Sequence, residues 1–195
     1  MGGRLIYLMG PSGSGKDSLI DAARDSLAGF DCVVARRVIT RSAEAAGESA
    51  VSVTLQEFAQ RACHGGFALS WNANGLAYGI PVQIDQWLVE GHNVLVNGSR
   101  GALAGAREKY PTLLPILLTV DTHVLRKRLE RRGRESAEEI AARLERNALF
   151  TEGATKDVAQ GVFLLDNSGT LADAVVRLLE LLRREGLREK SPGHQ

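Results

Sequence analysis

Residues 4–18 read Arg-Leu-Ile-Tyr-Leu-Met-Gly-Pro-Ser-Gly-Ser-Gly-Lys-Asp-Ser, and this stretch decides the fold. It opens with a short apolar run of the length of a buried strand. The run leads into Gly, four residues, Gly-Lys, which is the pattern of a phosphate-binding loop. A helix over about residues 17–27 is predicted to follow. Strand, glycine-rich loop and helix in this order indicate a site for the phosphates of a nucleotide.

The chemistry of this loop follows from its glycines and its lysine. Glycine adopts backbone conformations closed to other residues, so successive N–H groups can converge on phosphate oxygens. The helix that follows adds its positive N-terminal end, and Lys16 is expected over the β- and γ-phosphates. The predicted nucleotide contacts in the loop are Gly10, Pro11, Ser12, Gly13, Ser14, Gly15 and Lys16.

The position after the lysine departs from the usual pattern. A Ser or Thr that holds Mg²⁺ normally stands there, whereas this chain has Asp17 followed by Ser18. Two alternatives stay open: Asp17 holds the metal through water, or Ser18 holds it from one position further on. Both residues are also counted among the predicted nucleotide contacts.

Composition limits the class of protein. The chain has 195 residues, of which 44% are hydrophobic and 24% are charged, as expected for one globular domain over residues 1–185 with a flexible tail, 186–195. The net charge of +1 does not favour binding to nucleic acid. No apolar run has the length of a membrane span, and the two cysteines lack metal-ligand spacing. These features predict a cytoplasmic protein with no membrane or nucleic-acid partner, and they leave the oligomeric state undetermined.

Apolar strand patterns alternate with helix patterns along the chain, which predicts an α/β fold in three α/β/α layers around a parallel sheet. Residues 113–120 are the most apolar run and fit a central strand, although Pro115 suggests that its pairing begins after that residue. Residues 42–79 break the alternation and are interpreted as a small β-rich insertion that binds substrate. Within it, Thr54 and Glu57 have the spacing of a capping box.

A basic stretch, Arg36-Arg-Val-Ile-Thr-Arg41, follows the second predicted strand. If it is extended, Arg37 and Arg41 project to one side and Arg36 and Thr40 to the other. Arginine suits a second anion because its planar fork donates two parallel hydrogen bonds to a phosphate. A solvated basic turn is the alternative interpretation.

The order of motifs resembles the guanylate-kinase-like branch of the P-loop kinases. Arg131-Arg-Gly-Arg-Glu-Ser resembles the start of the family's helical lid, assigned to residues 131–147, with Arg132 and Arg143 as its catalytic arginines. Thr40-Arg41 resembles the grip on the acceptor phosphate, and Tyr78-Gly79 resembles the substrate motif. Asp166-Asn167 resembles the region near adenine.

The chain differs from guanylate kinases at the positions whose side chains recognise the guanine base. A Glu before the tryptophan and an Asp after the next strand are absent, because the chain reads Ala68-Leu-Ser-Trp71 and Val96-Asn-Gly-Ser-Arg100. Glu44 replaces the family's second acceptor arginine, so Arg37 and Arg100 are the candidates to help Arg41. Ser99 completes the predicted substrate-binding residues.

This combination resembles the ribose 1,5-bisphosphate phosphokinase family of bacterial phosphonate breakdown. The resemblance implies transfer of the ATP γ-phosphoryl group, with Mg²⁺, to the 1-phosphate of ribose 1,5-bisphosphate, which gives 5-phosphoribosyl 1-diphosphate (PRPP) and ADP. The partner would therefore be a small phosphorylated sugar. Guanylate kinase, or another nucleoside monophosphate kinase, is the alternative enzyme, and a non-catalytic guanylate-kinase-like binding module is the alternative from another class.

Overall fold

The structure, a computed structural model, describes residues 2–41, 50–133, 136–152 and 158–189, without the side chains of residues 132, 146, 147 and 149–152. The strands are β1 Leu5–Met9, β2 Cys32–Val34, β3 Arg37–Thr40, β4 Ala50–Val53, β5 Phe67–Ala73, β6 Leu76–Pro81, β7 Asn93–Asn97, β8 Leu114–Thr119 and β9 Phe163–Asp166. The helices are α1 Lys16–Gly29, α2 Leu55–Cys63, α3 Gln83–Val89, α4 Leu103–Lys109, α5 Thr122–Arg132, α6 Ala137–Glu152 and α7 Leu171–Arg184. A 3-10 helix, Arg100–Ala102, precedes α4.

The larger sheet has five strands in the order β2-β7-β1-β8-β9. All five residues of β1 are buried, and so are the first five residues of β8, because strands covered on both faces need apolar residues at successive positions. The pairs β2–β7 and β8–β9 are parallel. The α/β fold with a parallel sheet that the sequence predicts is therefore confirmed.

The chain divides into two compact units, which are described separately. The first comprises Met1–Tyr7, Leu27–Leu114 and Glu189–Gln195, and the second comprises Leu8–Ser26 and Pro115–Arg188. The predicted boundaries of the kinase domain stay a prediction. Of the predicted tail, 186–195, residues 190–195 lie outside the described part of the chain.

A second, four-stranded sheet lies in the first unit, with the order β4-β3-β6-β5. Its β5–β6 pair is an antiparallel hairpin that turns at Asn74 and Gly75, both with positive φ, of 51° and 74°. Such a two-residue turn matches the twist of the flanking strands. The predicted insertion, residues 42–79, covers much of this sheet, although residues 42–49 lie outside the described chain.

Helix α2 packs against this sheet through Phe58, which joins a buried cluster with Val38, Val53 and Ala77. The predicted capping box at its start is confirmed. The Glu57 N–H donates to Thr54 Oγ1 at 3.1 Å, and the Thr54 N–H donates to Glu57 Oε2 at 2.7 Å. These two bonds satisfy donors that the first turn of a helix leaves without partners.

In the second unit, α5 ends at Arg132 and is followed by Gly133 in the left-handed conformation, with φ of 62°. Helix α6 packs on α5 through a buried cluster of Val120, Leu125, Leu129, Ile140 and Leu144. Apolar residues four apart on each helix form this cluster, as expected for helices that share one apolar face. None of the helices in the described ranges is both long and apolar enough to cross a membrane.

Candidate active site

The phosphate-loop pattern forms a tight turn between β1 and α1. Gly13 and Gly15 have φ of 87° and 92°, a conformation that side chains with a Cβ rarely adopt. A Cβ on Gly10 would lie 2.8 Å from the Leu118 carbonyl oxygen, so this position also has no room for a side chain. The three glycines therefore meet steric requirements of this loop.

Asn167, which follows β9, supports the loop from the side. Its side chain is 1% exposed, and its Nδ2 donates to the Ser14 carbonyl at 2.7 Å. Arg128 Nη2 donates to the Asn167 carbonyl at 2.8 Å. A Cβ on Gly15 would lie only 2.6 Å from Asn167 Nδ2. Helix α5 and the end of β9 thus hold the phosphate loop at one point.

Lys16 folds back over the loop that precedes it. Its Nζ donates to the carbonyl oxygens of Gly10 and Pro11, at 2.7 and 3.0 Å. These bonds keep the ammonium group at the mouth of the loop, where an incoming phosphate could exchange with the carbonyls as its partner. The position fits the predicted role of Lys16 as the loop's cation.

Arg143 of the predicted lid reaches the same loop. Its Nη1 donates to Ser12 Oγ at 2.8 Å and lies 3.9 Å from the site of a Cβ on Gly13. Helix α6 presents it one residue before Leu144 of the buried cluster. Arg132, the other predicted lid arginine, ends α5, and its side chain lies outside the described part of the structure.

Two observations fit the loop to a nucleotide with its metal. Within the described residues, Ser14 Oγ and Asn167 Oδ1 are buried at the loop and have no hydrogen-bond partner. The first turn of α1 carries Asp17, which is half-buried, and Ser18, which is exposed. Consecutive helical residues point about 100° apart, so the two side chains face different directions. Asp17 or Ser18 would hold the metal, and that alternative stays open.

Asp166, predicted with Asn167 near the nucleotide base, shapes the turn after β9. Its carboxylate accepts from the Ser168 N–H at 3.1 Å and pairs with Arg177 Nη1 at 3.2 Å. The side chains of Asp166 and Arg177 are about half exposed. The carboxylate therefore orders residues 166–169 beside the phosphate loop.

In the first unit, three side chains stack in a row across the second sheet. The Arg37 guanidinium lies 5.4 Å from the centre of the Tyr78 ring, and the Tyr78 and Trp71 rings are parallel, with centres 5.5 Å apart. Such cation–π and stacking contacts restrict the arginine and the tyrosine to one orientation. Arg37 and Tyr78, both predicted to bind substrate, are thus neighbours.

Thr40 and Arg41 line a groove of about 480 Å³ together with Thr54, Glu57 and Gly75. Thr40 Oγ1 accepts from the Ala77 N–H at 2.8 Å, so this hydroxyl also ties β3 to β6. β3 ends at Thr40, and the strand alternation does not extend to the exposed Arg41. Arg41 is therefore accessible to an anion in this groove.

Tyr7 fixes the loop after β7. Its hydroxyl donates to the Ser99 carbonyl at 2.9 Å and accepts from the Ser99 N–H at 3.0 Å. Burial raises the pKa of Tyr7 to about 12, against a smaller opposing effect of the Ser99 backbone. A Cβ on Gly98 would lie 2.2 Å from Cζ of Tyr7. The predicted Ser99 and Arg100 thus begin from a backbone held by a buried phenol.

A pocket of about 570 Å³ lies between β5 and the segment that contains α4. Residues 68–72 line one side, and Ser99, Gly101, Ala102, Gly105, Ala106 and Lys109 line the other. Ser70 and Ser99 stand where the guanylate kinase pattern has carboxylates. No Asp or Glu is among these lining residues, so the pocket lacks the carboxylates with which the guanylate kinase pattern accepts from guanine N–H donors.

Comparison with known proteins identifies the family. No family model matches the chain. The ribose 1,5-bisphosphate phosphokinase PhnN of Pseudomonas fluorescens (strain SBW25) is 62% identical over 179 residues, which are 92% of this chain and 94% of the relative. The protein of the same name from Azotobacter vinelandii is 56% identical over 94% of this chain and 98% of the relative. The chain belongs to the ribose 1,5-bisphosphate phosphokinase family.

A solved structure supports the fold of this family member. The guanylate kinase from Anaplasma phagocytophilum matches 96% of this chain, and 88% of its own, with a TM-score of 0.67 and 17% identity. At this identity the likeness concerns the fold alone. It confirms the predicted guanylate-kinase-like architecture.

The sequence analysis of this ribose 1,5-bisphosphate phosphokinase family member did not single out three residues that support or line the candidate site. They are Tyr7, which holds Ser99, Arg128, which holds Asn167, and Lys109, which lines the β5–α4 pocket. Tyr7 lies in an apolar strand pattern, where an aromatic residue is expected in the core without a partner. Arg128 lies on the basic helix α5, between the buried residues Leu125 and Leu129. Its position beside these core residues is the only feature of the sequence that distinguishes it from the other arginines of the helix. Lys109 closes a helix where a cation is ordinary.

Proposed function

We propose that this chain transfers the γ-phosphoryl group of ATP to the 1-phosphate of ribose 1,5-bisphosphate, giving PRPP and ADP. The observation that carries the proposal is the absence of carboxylates among the residues that line the β5–α4 pocket. The family supports it, because the relatives that share most of the chain are named for this activity. The reaction would take place in the cytoplasm, where ATP is made and used.

The donor would bind in the second unit. Backbone N–H groups of the loop and the start of α1 would bind the phosphates, and Lys16 would exchange its two carbonyl partners for phosphate oxygens. Arg143, now 2.8 Å from Ser12 Oγ, would neutralise charge on the transferring group, with Arg132 as the second lid arginine. Asp17 or Ser18 would hold Mg²⁺, which would supply positive charge to neutralise the phosphates during transfer.

The acceptor phosphate would bind in the first unit. Arg41 would bind it in the groove, and Arg37 and Tyr78 would contact the substrate from the stacked row. Arg100 follows the backbone that Tyr7 fixes, and it is the remaining candidate cation. A phosphate monoester loses its second proton near pH 6, so the attacking oxygen is already ionised at neutral pH. Transfer therefore needs positioning and charge neutralisation, with no general base.

Acceptor choice follows from the pocket. Guanine offers N–H donors that would meet the hydroxyls of Ser70 and Ser99 in place of carboxylates, and each hydrogen bond to a charged acceptor that is lost costs about 1–3 kcal/mol. A sugar phosphate has no such donors on a base edge. Ribose 1,5-bisphosphate should therefore exceed GMP in kcat/KM by at least about 10²-fold.

The test is ADP release with ribose 1,5-bisphosphate and with GMP, each at sub-saturating concentration. Analysis of the product by mass must show PRPP with the first acceptor. GMP as an equal or better acceptor would assign the chain to nucleoside monophosphate phosphorylation. Nucleotide binding without turnover on either acceptor would instead favour a binding module.

A further inference from the structure

We propose that the β5–α4 pocket binds the end of the acceptor that carries the non-transferred phosphate, with Lys109 as the cation that recognises it. This inference rests on the proposed function and deepens it. It assigns a place to the second phosphate of a bisphosphate acceptor, whereas Arg41 is proposed to hold the phosphate that reacts.

The pocket runs along an open strand edge. Among the described strands, β5 is the outermost of its sheet, so on one side its backbone N–H and C=O groups have no described strand beside them. The Ala68 carbonyl on this edge accepts from Lys109 Nζ at 3.2 Å. Main-chain donors and acceptors along an edge suit a polyhydroxylated sugar, and the hydroxyls of Ser70 and Ser99 add to them.

Two hydrogen bonds hold the Lys109 ammonium group in place. Its Nζ makes hydrogen bonds to the Ala68 carbonyl and, at 3.0 Å, to Asp85 Oδ2. The other oxygen of Asp85 accepts from the Tyr110 hydroxyl, so the carboxylate is itself fixed. An ammonium group has three N–H donors, and the side chain of Lys109 is 41% exposed. The Nζ also lies 5.3 Å from the centre of the Tyr110 ring, and among the described residues it makes two hydrogen bonds, so its third donor can bind an anion in the pocket.

The opposite wall is made of small residues, which leave space for a ligand. Gly101, Ala102, Gly105 and Ala106 line it, and a Cβ on Gly105 would meet no heavy atom within 4 Å. The nearest heavy atom to a Cβ on Gly101 would be Ser99 Oγ, at 3.9 Å. Side chains of ordinary size at these positions would fill the pocket, so its volume depends on them.

The experiment compares two acceptors that differ only in the second phosphate, ribose 1,5-bisphosphate and ribose 1-phosphate. In the wild type, kcat/KM should favour the bisphosphate. Lys109→Met should reduce kcat/KM for the bisphosphate about 10–100-fold and leave that for ribose 1-phosphate within about twofold, since a hydrogen bond to a charged group is lost with one acceptor alone. Lys109→Arg, which keeps the charge, should restore part of the preference.

A second pair of variants tests the pocket independently of charge. Gly105→Leu should occupy it, since the added Cβ meets no heavy atom within 4 Å, and should raise KM for the bisphosphate at least about tenfold, because a ligand must then compete with the added side chain. Gly29→Leu is the control, since a Cβ on this glycine at the end of α1 also meets nothing within 4 Å and Gly29 does not line the pocket. Tyr110→Phe controls for disturbance of the Asp85 pair and should leave the acceptor ratio unchanged.

The outcomes separate the two proposals. A wild type that releases no ADP with ribose 1,5-bisphosphate overturns the proposed function and this inference with it. An active wild type whose acceptor ratio is the same in Lys109→Met overturns the inference alone. Equal changes in Lys109→Met and Tyr110→Phe also overturn it, because they would reflect the hydrogen bonds of these two residues to Asp85. Direct titration with ribose 5-phosphate, which lacks the reacting group, should show weaker binding to Lys109→Met than to the wild type.

Discussion

Tyr7 and Ser99 are joined by two hydrogen bonds that use one hydroxyl as both donor and acceptor, at 2.9 and 3.0 Å. The phenol comes from the fully buried strand β1, and the backbone it holds leads into the predicted acceptor residues. Gly98 lies so close to the ring that no Cβ fits between them. The start of the Ser99–Arg100 segment is therefore fixed by the core of the protein.

Tyr7→Phe should destabilise the fold at neutral pH by about 1–3 kcal/mol, because two backbone groups lose their partner. The loss should shrink at alkaline pH. Burial raises the pKa of Tyr7 to about 12 from an ordinary value of 10.0, so the phenol stabilises the fold below pH 10 and loses that contribution between pH 10 and 12. The free energies of unfolding of wild type and variant should converge by about 1.4 kcal/mol at pH 11 relative to pH 8.

Urea unfolding of both proteins at pH 8 and 11 measures this difference. Taking the difference removes the contribution of Cys32, whose pKa burial also raises to about 12. A gap between the two proteins that is constant with pH would mean that Tyr7 titrates as it does in the unfolded chain.

Gly15→Ala should weaken nucleotide binding at least about tenfold and destabilise the fold by about 1–3 kcal/mol, since a strained conformation is forced on a residue with a Cβ. The φ of Gly15 is 92°, and the added Cβ would lie 2.6 Å from Asn167 Nδ2. Gly29→Ala is the control and should be neutral or stabilising, because its Cβ meets no atom within 4 Å. Thermal unfolding with and without ATP measures both effects. An unchanged ATP-dependent shift in Gly15→Ala would contradict the steric argument.

Lys16→Met should lower kcat by about 10²-fold or more, since it removes about 3 kcal/mol of electrostatic stabilisation from the transition state. The fold should persist, because the carbonyls of Gly10 and Pro11 that now accept from Lys16 can bind water instead. Lys127→Met, at an exposed position of α5, should be indistinguishable from wild type. Turnover is measured by ADP release at saturating substrates. Normal turnover by a folded Lys16→Met protein would remove this residue from the mechanism.

The metal-supporting residue can be assigned by titrating Mg²⁺ against activity in Asp17→Asn and Ser18→Ala. If Ser18 holds the metal, Ser18→Ala should raise the Mg²⁺ concentration at half-maximal rate more than Asp17→Asn does. Asp17 is the less exposed of the two residues, so it remains a candidate metal ligand. The reverse order of the two effects would assign the metal to Asp17.

Local sequence rules predicted the local structure well. The phosphate-loop strand and helix and the Thr54–Glu57 capping box depend on residues close in sequence, where spacing alone specifies the contact. Pro115 also agrees with its prediction, since the pairing of β8 with β9 begins after it. It lies inside β8, which begins at Leu114, while the register with β9 begins at Ile116. A proline is tolerated at the start of a strand before the ladder needs its N–H.

Contacts between distant residues could not be predicted in the same way. Asn167 and Ser14 are 153 positions apart, and Tyr7 and Ser99 are 92 apart. Their meeting depends on how strands are ordered in a sheet, which one sequence does not specify. Asn167 was assigned to the nucleotide by resemblance, whereas Tyr7 had no signal beyond a polar atom in an apolar strand. The polar support behind a site is therefore harder to predict than its charged face.

Arg41 gives the last test, which concerns the phosphate that reacts. Arg41 lines the groove beside Thr40 and is exposed, whereas Arg37 lies against the Tyr78 ring. Arg41→Ala should raise KM for ribose 1,5-bisphosphate about 10–100-fold with kcat nearly unchanged, if the contact is equal in the ground and transition states. Arg37→Ala should have a smaller effect, because its guanidinium lies against the Tyr78 ring and is less exposed to an acceptor phosphate than Arg41 is. Arg36→Ala is the control, since Arg36 precedes β3 and is exposed.

Initial rates of ADP release over a range of acceptor concentrations give KM and kcat separately. A fall in kcat with unchanged KM would instead show that Arg41 acts on the transition state, and equal kinetics in Arg41→Ala and Arg36→Ala would move the acceptor phosphate to another cation.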